Sequence, residues 1–330
     1  MKLTTDMTVD ASSHFDVFGR RGLTTTPVHV SILPEMYAPA KEPRHHWLYL
    51  SFTGFRVLAR RLVESDLSCE IFASIGTSSG LDAIGAVEAF NPGQVIVTDV
   101  LSSVVPIALE NVKANCVNTK PTVRGLCGSL VEPLQWEGVR ADIIYENLPN
   151  LPSPIDADSL YSEGATAASF YPILDSEQAK LGEGTFLELH ESFLQKARSV
   201  LRPNGSVICA IGGRVEWRKI HELFLRNRYY SEILTYLLKP QEQANECLPV
   251  YAAAEGSHAF SFYPFERACK LMDDCGHSGI NDEVVPESTI EKIERLLLPL
   301  KISASEAMRL SQRGEMVGHL AYLIRGIPID

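Results

Sequence analysis

Cationic residues are in short supply: 30 Lys and Arg stand against 41 Asp and Glu, a net charge of −11. That deficit disfavours a broad nucleic-acid surface, and with it RNA as a substrate. Paired cysteines are missing too. Seven are scattered without any C-x-x-C, which suits reduced thiols in a cytoplasm better than a disulfide frame. Cys269, Cys275 and His277 form a local grouping too sparse for a metal site, so no metal is expected. No apolar run reaches membrane-spanning length, and the opening MKLTTDMTVD lacks a signal-peptide core, so a cytoplasmic protein without a membrane is expected. No internal repeat is found. Of the 330 residues, 45% are hydrophobic and 22% charged, enough for a sizeable core in one main domain plus additions.

The most informative stretch is 71–100, IFASIGTSSGLDAIGAVEAFNPGQVIVTDV. An apolar run ends in Gly76-Thr77-Ser78-Ser79-Gly80, a helical pattern follows through Leu81, Ile84 and Val87, and Pro92-Gly93 turn the chain into a second apolar run closed by Asp99. Strand, small-residue turn, helix and strand are predicted. Small residues let a ligand approach the turn, and the helix start aims free N–H groups and a positive dipole end at it. An acid at the tip of the second strand can accept both hydroxyls of a ribose. A nucleoside-containing cofactor is favoured. The G-x-G-x-x-G of dinucleotide sites is absent, since Ser78 stands at the second glycine position after Gly76.

The pattern G-T-x-x-G-L-D-A, then V-T-D, then Asn111-Val112-x-x-Asn115 resembles the class I S-adenosylmethionine-dependent methyltransferases. The likeness is nearest to the small-domain branch that holds the glutamine N5-methyltransferases of release factors, and it covers roughly 69–211. Gly128-Ser129-Leu130, Asn147-Leu148-Pro149-Asn150 and Leu201-Arg202-Pro203-Asn204-Gly205 continue it in order. Where the family has D-x-G-x-G-x-G, this chain has Ser74, Gly76, Ser78 and Gly80. The resemblance implies an α/β fold, a Rossmann-like seven-stranded methyltransferase sheet with N-terminal and C-terminal helical additions. It implies S-adenosyl-L-methionine as cofactor, held by Gly76, Thr77, Gly80, Asp99, Ser129 and Asn147, with Ser129 near the adenine amino group. The family's N-P-P-Y tetrad aims an acceptor nitrogen at the methyl and covers it with the aromatic ring; here Asn147 and Pro149 are kept, and Leu148 and Asn150 differ. Losing the ring removes about 1–3 kcal/mol of stacking on a flat group. A small, partly apolar acceptor is therefore expected over a nucleobase or a glutamine amide. Glu146, one residue before the tetrad, is the candidate base, and Asn147, Pro149 and Glu146 form the expected catalytic set.

Three segments follow: 1–66, partly helical and helping to shape the acceptor pocket; 67–264, the cofactor-binding domain, with a lid-like insertion at 151–184; and 265–330, a helical extension. Phe15, Phe18 and Tyr37 are candidate pocket liners, and Arg20, Arg21, Arg44, His45 and His46 are candidates to receive an anionic group. Tyr161, Phe170 and Tyr171 would replace the lost tetrad ring from the insertion. Beyond it the periodicity predicts a helix over 185–201, strands over 207–211, 233–238 and 259–263 with the last pair antiparallel, and helices over 215–226, 265–273, 288–298 and from Ser303, where Glu306 completes a capping box. The expected function is methyl transfer to a small-molecule substrate in specialised metabolism. A protein glutamine or RNA base as acceptor, and a non-catalytic nucleoside-binding regulator, are the alternatives; a homodimer through the C-terminal helices is left open.

Overall fold

A computed structural model describes residues 7–19, 22–34, 36, 38–39, 42–150, 186–256, 259–277 and 283–329. The insertion at 151–184, with Tyr161, Phe170 and Tyr171, lies outside the described residues, as do Arg20, Arg21 and Tyr37.

The predicted unit forms as β3 (Ile71–Ile75), α2 (Leu81–Phe90) and β4 (Gln94–Asp99), after a small hairpin of β1 (Met7–Asp10) and β2 (His29–Ile32) and a long helix α1 (Trp47–Glu64). Then come α3 (Val104–Asn115), β5 (Thr122–Cys127), α4 (Glu132–Trp136), β6 (Ala141–Glu146), α5 (Glu188–Ala197), β7 (Leu201–Gly213), α6 (Trp217–Arg226) and β8 (Tyr229–Pro240). The chain continues through α7 (Ala244–Ala254), β9 (Tyr263–Pro264), α8 (Phe265–Asp274), α9 (Glu287–Leu297), α10 (Ala304–Gln312) and β10 (Val317–Pro328). The main sheet runs β5-β4-β3-β6-β7-β10-β8, with short β9 pairing β10. Strands β5 to β7 are parallel, and β10 is antiparallel to both β7 and β8. This is an α/β, Rossmann-like sheet with an antiparallel strand inserted near one edge.

Side chains alternate between two cores, one on each sheet face, as a two-residue period demands. Val95 and Val97 join Phe52, Ile84 and Val112 beneath α1 to α3, while Ala73, Ile75 and Ile96 join Phe193, Ile220 and Ile290 on the other face. Glycines set two close approaches of α1: a Cβ on Gly85 would enter the Phe52 ring, and one on Gly54 would enter Leu323 of β10. The two asparagines of the N-V-x-x-N motif clamp β2 onto α3. Asn111 exchanges hydrogen bonds of 2.8 Å with the Ser31 backbone and donates to the Ser79 carbonyl (2.9 Å), and Asn115 does the same for His29 at 3.2 and 2.7 Å.

The seventh strand is a correction. The sequence reading put it at 259–263 and made 265–330 wholly helical; there Tyr263–Pro264 forms a two-residue strand and Phe262 a single bridge to Ile302, and the strand inserted between β7 and β8 is Val317–Pro328. The extension does contain the three expected helices, and Ser303 caps α10 by accepting from the Glu306 N–H at 3.1 Å. One of those helices, α9, is tied to the fold through two carboxylates. Glu287 and Glu294 of α9 accept from the indole and backbone N–H of Trp217, both at 2.7 Å. No helix among the described residues is long and apolar enough to cross a membrane.

Candidate functional site

The loops after β3, β4, β5 and β6 leave the same edge of the sheet, as they must when those strands are parallel. They converge on one cavity lined by Gly76, Thr77, Ser78, Asp99, Gly128, Ser129, Asn147 and Pro149. Gly76 has φ +65°, and a Cβ placed there would stand 3.6 Å from Leu148, so the turn and the tetrad face each other. Gly80 (φ +80°) is not in the cavity wall: a Cβ there would lie 3.0 Å from the Ala108 carbonyl and 3.1 Å from Val112. Its bareness seats α2 against α3 rather than a ligand.

Asp99 closes β4 and is 6% exposed. One carboxylate oxygen accepts the Ser78 N–H (3.1 Å), the other the Leu101 N–H (3.0 Å). Burial raises its carboxyl above the usual range, against the pull of these N–H bonds. Asp82 is a site residue that motif reading passed over. It sits in the first turn of α2, lines the cavity, accepts from the Ser74 hydroxyl and from Thr77 Oγ1 (3.1 Å), and takes the Ala83 N–H (2.9 Å). The acid missing at Ser74 is thus supplied from the neighbouring helix.

Burial pushes the Asp82 carboxyl from 3.8 up to about 6. The folded chain therefore holds a proton that the unfolded chain releases between those values, and stability declines as pH rises from about 4 to 6, by about 3 kcal/mol in total. Asp82→Asn is expected to lower the slope of that part of the Tm-versus-pH curve, leaving the contributions of Asp99, Glu188, Glu242 and Glu294, whose carboxyls burial raises in the same direction. Equal slopes in parent and variant would remove Asp82 as the source.

Glu146 lies behind the tetrad and outside the cavity wall. It is fully buried; Oε1 is 2.8 Å from His190 Nδ1 and Oε2 accepts the Leu148 N–H at 2.7 Å. His190 Nε2 reaches Asn150 Oδ1 at 3.2 Å, and Asn150 bonds the Gly212 N–H (3.3 Å) and carbonyl (3.4 Å) while its own carbonyl takes the Tyr251 hydroxyl. This buried chain fixes the tetrad's backbone. The fourth tetrad residue, Asn150, borders the cavity with its side chain held by Gly212 and His190. Asn147 makes no side-chain hydrogen bond among the described residues and borders the cavity.

The other half of the cavity is lined by His46, Trp47, Leu189, Arg214, Lys239, Glu242 and His319. Of the cationic group ahead of the cofactor unit, His46 reaches this wall, whereas Arg44 and His45 border a separate hollow with Cys269 and His277. Phe15 and Phe18 pack on Phe52 in the core instead of lining the cavity. Among the described residues no group of three or more His, Cys, Asp or Glu is placed to hold a metal ion.

No family model matches this chain, and no curated protein sequence matches it significantly. Solved structures resemble it at low identity. A ribosomal protein L11 methylase from Lactobacillus delbrueckii subsp. bulgaricus is 18% identical over 63% of this chain and 88% of that one, with a TM-score of 0.38. The YcgJ protein from Bacillus subtilis is 13% identical over 83% of this chain and 98% of that one, with a TM-score of 0.43. An O-methyltransferase from Bacillus cereus, in complex with SAH, is 16% identical over 62% and 78%, with a TM-score of 0.36. Likenesses this weak say nothing about substrate, which has to come from this chain's own residues.

Proposed function

We propose that the protein is an S-adenosylmethionine-dependent methyltransferase acting on a small-molecule acceptor. The observation that carries this is the convergence of the 76–79 turn, Asp99 and the 147–150 tetrad on one cavity at one sheet edge. Asp99 takes the Ser78 and Leu101 N–H groups on different oxygens and borders the cavity, where its carboxylate can accept a ribose hydroxyl. Ser129 borders the same cavity beside Gly128, where an adenine amino group can accept its company. The cofactor supplies an electrophilic methyl on sulfur; the chain's part is to hold the acceptor in line with it. Asn147, uncommitted within the described residues, is the group to do so.

The acceptor size is argued from the tetrad. Asn150 is spent on Gly212 and His190, and Leu148 faces Gly76, so no ring from the tetrad covers a base or an amide. That supports a small acceptor over the protein glutamine and RNA readings. Calorimetry with S-adenosylhomocysteine tests the cofactor: binding at micromolar to submillimolar concentration is expected, and silence removes the proposal. Asn147→Ala is expected to keep that affinity within a fewfold while lowering turnover about 100-fold, the loss of one alignment contact. Labelled methyl appearing in protein or RNA, instead of in small molecules of a cell extract, would defeat the small-acceptor claim.

A further inference from the structure

Three basic side chains wall the half of the cavity that the cofactor loops leave open. Arg214 follows β7, Lys239 ends β8 and His319 begins β10, and since β10 lies between β7 and β8 the three stand side by side at one edge. The antiparallel register sets His319 directly opposite Lys239, which puts both side chains on one face. A Cβ on Gly212 would collide with Arg214 Nη1 and lie 3.2 Å from His319 Nε2, so guanidinium and imidazole meet over Gly212. Gly212 is the residue that Asn150 bonds through both its N–H and its carbonyl. The basic group therefore adjoins the tetrad.

Their commitments differ. Lys239 Nζ donates to the His45 carbonyl at 2.8 Å, lies 3.1 Å from the Glu242 carboxylate and sits over the Trp47 ring at 5.2 Å. These contacts occupy its ammonium. Arg214 donates Nε to Gln241 (2.9 Å) and lies against the Tyr251 ring, with no carboxylate paired to it among the described residues. His319 is 1% exposed, packs against Trp47 and Phe262, and has no hydrogen-bond partner on either ring nitrogen among the described residues. A buried polar group left so costs about 1–3 kcal/mol and calls for an explanation. Burial, with the charges of Arg214 and Lys239, holds the imidazole well below its ordinary range, which leaves it neutral with a free lone pair.

On the methyltransferase reading above, we propose that His319 and Arg214 receive a hydroxyl of the acceptor, His319 taking its proton and Arg214 holding its oxygen. A hydroxyl is the group that donates to a neutral imidazole and accepts from a guanidinium at once; an ammonium would be repelled by Arg214. The acceptor class is a small, mostly apolar molecule with an ionisable hydroxyl, methylated on oxygen. The bonds balance. The acceptor's O–H breaks as N–H forms on His319, the freed oxygen pair makes the O–CH3 bond, and the S–CH3 pair stays on sulfur, so one positive charge passes from sulfonium to imidazolium and leaves as a proton to solvent.

The test uses the full chain loaded with S-adenosylhomocysteine and 4-nitrophenol as probe, whose ionisation is read by absorbance. The parent is expected to bind the probe and to shift its ionisation towards the phenolate, and the ring signals of His319 are expected to move on binding, a readout that needs no substitution. His319→Gln and Arg214→Gln are each expected to weaken probe binding by about tenfold or more while S-adenosylhomocysteine affinity stays within about twofold. Probe binding unchanged in both variants, or no probe binding by a parent that binds S-adenosylhomocysteine, overturns this assignment alone. A parent that fails to bind S-adenosylhomocysteine overturns the cofactor reading, and this assignment with it.

Discussion

Asp99→Ala is expected to weaken S-adenosylhomocysteine binding by about thirtyfold or more, which corresponds to about 2 kcal/mol or more. Two losses add. The ribose loses its acceptor, and the N–H groups of Ser78 and Leu101 lose the carboxylate that now receives them at 3.1 and 3.0 Å. The second loss loosens the turn that the cofactor must approach, because Ser78 sits at φ +50°, a backbone state that a residue with a side chain holds only when its surroundings enforce it. Asp99→Asn separates the two. It retains an oxygen for one N–H but offers only one acceptor atom, so its affinity is expected between those of parent and alanine variant. Calorimetry reads both, with thermal unfolding as the control for integrity. Parent-like affinity in Asp99→Ala would take the ribose contact away from this residue.

A chain ended after Glu315 is expected to give no cooperatively folding monomer. Strand β10 contributes Leu320, Tyr322 and Ile324 to one core and Ala321 and Leu323 to the other, all buried. Removing large apolar side chains worth about 1.5–3 kcal/mol each approaches or exceeds the whole stability of about 5–15 kcal/mol of a typical domain. It also strips the pairing from facing edges of β7 and β8, and exposed edges of that length invite association. Arg325 would go as well, leaving Glu232 without its 3.1 Å ion pair. Size-exclusion chromatography and a circular-dichroism melt report the outcome. A monomer that still unfolded cooperatively would show the sheet self-sufficient without β10, as a wholly helical extension would have allowed.

Why that strand escaped sequence reading is physical. VGHLAYLIRGIP is buried on both faces, so it lacks the alternation that marks a half-buried strand. The stretch AFSFY at 259–263 does alternate, and drew the assignment, yet only its last residue joins a two-residue strand. The cofactor half was legible because strand, turn, helix and strand follow one another within 71–100 and carry their own punctuation. Pro203-Asn204-Gly205, which separates the predicted helix over 185–201 from the predicted strand over 207–211, lies inside β7 instead, where a register shift between Ala141 and Ile143 of β6 absorbs it. Asp82 stood in plain view in G-L-D-A but reads as an ordinary helix residue until Ser74 is seen to need an acid. The acceptor half was not legible. Arg214, Lys239 and His319 belong to three strands that meet only through tertiary pairing, so no local spacing announces them. Glu146 was singled out as the candidate base at a strand end; local sequence could not show that His190 stands 2.8 Å away and that the carboxylate is buried outside the cavity wall.

The insertion of β10 also orders events during synthesis. Ser206 of β7 and Arg325 of β10, joined at 3.1 Å, are 119 residues apart in the chain. The ribosome therefore delivers the half that holds β3 to β6 long before the partner that β7 and β8 both await, and a nascent chain must carry two open strand margins through that interval. The imidazole of His319 arrives with the same late segment, so the wall proposed to receive an acceptor is completed only when β10 docks.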